Sequence, residues 1–206
     1  MIDFDGIEIF RKNLSNLMKT SIDKQNSSYM TESILPAVDF DSVKDNYIKS
    51  LAPSDTPKSI DALFISKTSD LYLIEFKNGT IDKNNSKQIW QKALESLLIL
   101  SDIINQGISY TRKHMNFILV YNESKNKQDE GKQQDEGKQA DGKDDGDNSI
   151  QRSPSRTGIA DHYIKSRANK KYIRFGLQRF EKIYFKEVFT YSKEDFETEF
   201  VSKHDA

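Results

Sequence analysis

Residues 59–78 read S-I-D-A-L-F-I-S-K-T-S-D-L-Y-L-I-E-F-K-N. Two short apolar runs, 60–66 and 71–76, flank the polar link 67–70, which is the pattern of a β-hairpin. Side chains alternate faces along a strand, so Asp61, Leu63 and Ile65 share one side of the first run. Glu75 and Lys77 likewise share one side of the second. Antiparallel pairing about the link sets the start of the first run beside the end of the second. Asp61 is then expected close to Glu75 and Lys77, two carboxylates and an ammonium at one end of a hairpin apolar on both faces.

Two carboxylates at one spot repel each other unless a cation joins them, and oxygen ligands suit Mg²⁺ or Mn²⁺. Mg²⁺ is commonly held by one or two carboxylates, with water and substrate phosphate completing its shell. Water on such an ion has a lowered pKa, and a neighbouring lysine can orient it or stabilise charge developing on phosphorus. Phosphodiester hydrolysis needs those parts.

The order Asp61, then Glu75-Phe76-Lys77, resembles the PD-(D/E)XK nuclease superfamily of restriction endonucleases, Holliday-junction resolvases and RecB-like nucleases. In that family the Asp opens one strand and the E-x-K closes the next, both central in a small mixed sheet. The resemblance implies an α/β fold with helices flanking the sheet, a restriction endonuclease-like core of αβββαβ type. It implies Asp61 and Glu75 as metal ligands, the Phe76 carbonyl as a third, and Lys77 as the catalytic lysine. It also implies Mg²⁺ or Mn²⁺ as cofactor, nucleic acid as partner with DNA ahead of RNA, and a homodimer. The departure lies at the family's proline, because Pro57 precedes Asp61 by four positions. The competing reading of the same residues is a solvated Glu75–Lys77 pair and a strand-start Asp61 with no task.

The chain of 206 residues is long enough for one domain with a real core. Hydrophobic content of 35% against 31% charged suggests that part of it does not pack. Without cysteine, disulfides and thiolate metal sites are excluded. No apolar run approaches the roughly 20 residues of a membrane span. The start M-I-D-F-D-G carries acids where a secretory signal carries basic residues, so a cytoplasmic protein is expected.

Ile7, Phe10, Leu14, Leu17 and Met18 recur at helical spacing and predict a helix over 6–22. Pro36 interrupts, and Asp41 can cap a second helix bearing Val43, Tyr47, Ile48 and Leu51. Glu8 and Glu32 are the acids ahead of the hairpin, and both read best as solvated surface groups. After Lys77, Ser86 is placed to cap the longest apolar-periodic segment, to about residue 105. Family members place a Gln or Lys on this helix facing the site. Gln91 flanks the apolar stripe, so it is the candidate, against an ordinary boundary glutamine. Trp90 reads as core, 114–121 as a buried strand, and His114 as a structural or exposed residue at its start.

Residues 122–151 contain Q-D-E-G-K-Q twice in tandem, and Ile150 is their one large aliphatic residue. They read as a disordered low-complexity insertion in a single domain made of 1–121 and 152–206. From 152 to 186 ten Lys or Arg stand against Asp161 and Glu181, interleaved with Tyr163, Tyr172, Phe175, Phe180, Tyr184 and Phe185. That mixture suits phosphates and base faces, unless the aromatics pack inward beneath an ordinary basic surface. Residues 182–191 read as a strand, and 193–203 as a closing helix with Phe196 and Phe200 inward. The leading function is a metal-dependent nuclease. A nuclease-like scaffold that binds nucleic acid without cutting it, and a protein-interaction module, are the alternatives.

Overall fold

The computed structural model describes residues 2–49, 51–127 and 173–205. The chain divides into one unit of 1–126 with 172–206 and a second of 127–171. In the first unit, a six-stranded sheet of the described residues has the order β1-β4-β5-β6-β7-β8. These strands are β1 (Leu14–Asn16), β4 (Pro36–Asp39), β5 (Ala62–Ile65), β6 (Leu71–Lys77), β7 (Met115–Tyr121) and β8 (Glu187–Tyr191). A small hairpin of β2 (Ile22–Asp23) and β3 (Ser28–Tyr29) stands apart from it. Pairing is antiparallel from β1 through β6 and parallel from β6 through β8. The parallel step from β6 to β7 is made by the 21-residue helix α4 (Lys83–Ile103) and the short α5 (Ile108–His114). Such a crossover needs a helix-length connection, which a tight turn cannot supply.

The hairpin forms as its alternation predicts. Ala62 pairs with Ile74 and Ile65 with Leu71, closed by Ser66 N–H donating to the Asp70 carbonyl at 2.9 Å. Period-two alternation then fills two cores. Leu71, Leu73, Phe117 and Leu119 face α3 (Phe40–Ile48) and α4, whereas Ile74, Ile118 and Val120 face Leu17, Phe196 and Phe200. Each fully buried Leu, Ile or Phe side chain contributes about 1.5–3 kcal/mol, so the central strands are the stable frame. Glu75 lies among them, 2% exposed, on the α4 face of β6.

The first segment departs from the single helix expected over 6–22. It is broken into α1 (Glu8–Lys12), β1 and α2 (Leu17–Thr20). Leu14, which had counted toward the apolar stripe, is 65% exposed on the edge strand. Asn13, Ser15 and Asn16 favour local side-chain bonds over helix, and Asn16 caps α2 by accepting from Lys19 N–H at 2.9 Å. Strand β4 was hidden by Pro36, which occupies its first position, where no N–H is required of it. Asp39, not Asp41, caps α3 through Ser42 N–H, and Asp82, not Ser86, caps α4 through Asn85 N–H. His114 ends α5 and stacks on Tyr110 at 4.5 Å instead of opening β7.

Positions 122–126, expected to belong to the low-complexity insertion, are structured. Asn122 caps a single 3₁₀ turn, and Asn126 is buried with its side chain accepting from Ile81 N–H at 2.7 Å. Residues 128–151 of the insertion and the basic stretch up to Tyr172 lie outside the described residues. Downstream, Phe175, Phe180, Tyr184 and Phe185 pack against the first core, which is the inward alternative for those aromatics. The end of the chain is α6 (Lys193–Phe196), a π-helical turn (Glu197–Val201) and α7 (Ser202–His204), with Phe196 and Phe200 inward as expected. Among the described residues no helix is long and apolar enough to cross a membrane.

Candidate functional site

Asp61 sits one residue before β5, where its N–H donates to the Ile74 carbonyl at 3.2 Å. Its Oδ2 accepts from the Phe76 N–H at 2.6 Å. The hairpin register thus brings Asp61 beside Glu75, as the alternation requires. The backbone of Phe76 stays at this point, while its ring turns to the opposite face and meets Phe196 edge-on at 5.6 Å.

The ammonium that joins the two carboxylates is Lys92, from the middle of α4. Its Nζ lies 2.7 and 2.9 Å from the two oxygens of Glu75 and 3.6 Å from Asp61 Oδ1. Asp41, in the first turn of α3, accepts a hydrogen bond from the buried Ser59 hydroxyl at the edge of the cluster. Ser96 Oγ accepts from Ile60 N–H at 2.9 Å, so α4 also holds the residue before Asp61.

Lys77 closes β6 in register with Tyr121, and its carbonyl accepts from Asn122 N–H at 3.1 Å. By alternation it shares the face of Glu75. Among the described residues it makes no ion pair with Asp61 or Glu75, so the ammonium expected there comes from the helix instead. Gln91 is exposed, and its Nε2 donates to Glu95 at 2.8 Å, along α4 and not toward the carboxylates. Lys92, one position on, takes the place expected of it. A signal for Lys92 does exist in the sequence, because this lysine falls among Ile89, Ala93 and Ser96 on the flank of the buried stripe. Small neighbours there leave room for a long side chain to reach the sheet.

Electrostatics follow from the count of charges. Burial pushes Glu75 above the usual carboxylate range, the neighbouring Asp61 adds to this, and Lys92 offsets part of it. Burial likewise raises Asp61, against the pull of Lys92 and of the Phe76 N–H. Burial works against the charge of Lys92, but Glu75 and Asp61 outweigh it and hold its ammonium above the ordinary lysine value. Two carboxylates face one ammonium, and the charge of Asp41 adds to the upward push on both carboxyls.

That donor set fits a hard divalent ion. The side-chain donors are the carboxylate oxygens of Glu75, buried on β6, and of Asp61, one residue before β5. Among the described residues no group of three or more Asp, Glu, His or Cys stands at ligand spacing. An ion bound here would have Asp61 and Glu75 as its two carboxylate ligands, with water and a backbone carbonyl such as that of Phe76 completing a shell. Comparison with family models, with curated proteins and with solved structures finds no match to this chain.

Proposed function

We propose that the protein is a metal-dependent nuclease that hydrolyses phosphodiester bonds of nucleic acid. The observation that carries this reading is the convergence of Asp61 and Glu75 on one cation position, set by the β5–β6 register. The antiparallel pair β5–β6 followed by α4 and the parallel strand β7 supports it as well. In chain order the elements run β4, α3, β5, β6, α4, β7, so α3 between the first two antiparallel strands departs from the αβββαβ order implied by the resemblance to the PD-(D/E)XK superfamily. A bound Mg²⁺ or Mn²⁺ would supply a water of lowered pKa and a counter-charge for phosphate. Asp61 and Glu75 hold the site, and Phe76 N–H fixes one Asp61 oxygen so that the other faces Glu75. Lys77, two residues beyond Glu75 on the same face, is the lysine this reading assigns to the charge developing on phosphorus.

The experiment is incubation with duplex DNA, single-stranded DNA and RNA in Mn²⁺, in Mg²⁺ and in EDTA. Cleavage is expected with either ion and not in EDTA. Asp61→Asn is expected to lose cleavage and metal response together. Lys77→Ala is expected to cut about 100-fold more slowly while binding nucleic acid nearly as well as wild type. Equal activity of Asp61→Asn and wild type would remove the enzyme claim.

One observation favours a second reading, a nuclease-like scaffold that binds nucleic acid without cutting it. Lys92 already compensates Glu75, so the buried carboxylate has a partner without any ion. In that case salt-sensitive binding survives in the same assay while no strand is cut under any ion.

A further inference from the structure

We infer that Lys92 is a built-in counter-ion that a divalent cation must displace from Glu75, so the site exchanges one cation for another instead of simply adding one. This rests on the metal-dependent reading above and concerns how the same site is loaded. The three carboxylate oxygens that face the common point are both of Glu75 and Oδ1 of Asp61. Lys92 Nζ lies 2.7, 2.9 and 3.6 Å from them. The fourth oxygen, Asp61 Oδ2, is taken by the Phe76 N–H. The ammonium therefore stands where an ion bound by both residues would stand. A divalent ion at about 2.1 Å from those oxygens would approach the ammonium to about 4 Å or less, where like charges in a partly buried site repel strongly.

Lys92 is also built to leave. Its side chain is 28% exposed against 3% for Glu75, so the stem reaches solvent while its partner does not. Its ion pairs among the described residues are with these two carboxylates alone. Glu95 lies three residues further along α4, within the reach of a lysine that swings outward. A lysine stem has four rotatable carbons and no fixed planar fork to hold it in one geometry. The Lys92 pairing explains how buried Glu75, beside half-buried Asp61, persists in a folded chain before any ion arrives.

Two measurements test this. In the first, wild-type protein is reductively methylated in EDTA and in Mn²⁺, and each lysine is followed by mass spectrometry. Lys92 is expected to react slowly in EDTA and several-fold faster with Mn²⁺, with Lys83 and Lys87 unchanged. In the second, Mn²⁺ alone is titrated calorimetrically into wild type, Lys92→Met, Lys92→Arg and Asp61→Asn. Lys92→Met is expected to bind about tenfold more tightly than wild type, Lys92→Arg no more tightly, and Asp61→Asn not measurably. Lys92 labelling that ignores Mn²⁺, in protein that binds Mn²⁺, overturns the counter-ion role and leaves the metal site standing. So does equal or weaker binding by Lys92→Met. No Mn²⁺ heat from wild type or Lys92→Met at about 10 mM, an affinity too weak to matter, overturns both readings. Should Lys92→Met fail to fold in EDTA, the wild-type labelling still decides.

Discussion

Glu75 is a carboxylate 2% exposed on a central strand, and such a group stays charged only where something compensates it. Burial, and then Asp61 beside it, push its pKa up to about 8. A carboxyl raised in this way binds its proton more tightly folded than unfolded. Its contribution to stability is fully present below the unfolded value, about pH 4, and is lost as pH rises through the folded one. Asp61, raised mainly by its own burial, acts in the same direction. Lys92 is raised too, so its contribution persists across this whole window and is lost only above about pH 10.5. In EDTA, the free energy of unfolding from urea titrations is therefore expected to fall between pH 5 and pH 8, by on the order of 2 kcal/mol. Asp61→Asn is expected to flatten that slope, since it removes both a titrating group and the charge that raises Glu75. Stability that rises over the same interval would mean that the carboxylates ionise more readily folded than unfolded, the opposite of raised pKa values.

Among the elements, those with long, single-minded patterns were legible in the sequence. The hairpin of β5 and β6 was, because alternation and a polar link agree, and so was α4, because its apolar stripe runs for 21 residues. Its facing residue was not. Gln91 is exposed on the side of α4 away from the buried residues, whereas Lys92 borders Ile89, Ala93 and Ser96 and reaches Glu75. The glutamine drew the assignment by residue type against the better-placed lysine. Likewise Asp39 and Asp41 are both competent caps two residues apart, and tertiary structure assigns one to α3 and the other to Ser59. Strands of three or four residues such as β1 and β4 carry too few side chains to show a period. The opposite flank of α4 offers its own test. Trp90 Nε1 donates to the Phe175 carbonyl at 3.0 Å, and Arg179 lies over the indole at 4.5 Å. Gly176 follows at φ +70°, and a Cβ there would come within 2.7 Å of Trp90 Cζ2. Gly176→Ala is expected to lose about 1–3 kcal/mol of stability in urea, from backbone strain and from the displaced indole together. A loss too small to measure would show that the indole yields freely and that this segment is not held to α4.

For the whole molecule, the decisive fact is where residues 127–171 leave and rejoin the unit that contains the site. Arg174 Nη2 donates to the Asn126 carbonyl at 2.7 Å, so the point of departure and the point of return already touch. Each is fixed independently. Asn126 Nδ2 donates to the carbonyls of Gly79 and Asn122 at 3.1 and 2.9 Å. The guanidinium of Arg174 lies over the rings of Tyr121 and Phe175 at 4.7 and 4.8 Å. None of these contacts uses a residue between 128 and 171, and neither do the contacts among Asp61, Glu75 and Lys92. The tandem Q-D-E-G-K-Q repeat, expected within an insertion over 122–151, falls inside the second unit of 127–171, whereas 122–126 belong to the first. Replacing 128–171 by a short Gly-Ser connection is thus expected to change stability by less than about 1 kcal/mol, a shift in Tm of about 3 °C. Mn²⁺ affinity should be unchanged, because every atom at the cation position stays where it was. Arg174→Ala in the shortened chain should lower Tm further, since the clamp then has to hold the two ends through one partner fewer. A large loss of Tm on shortening, with Arg174 intact, would instead place part of the folding energy in the 44 residues removed.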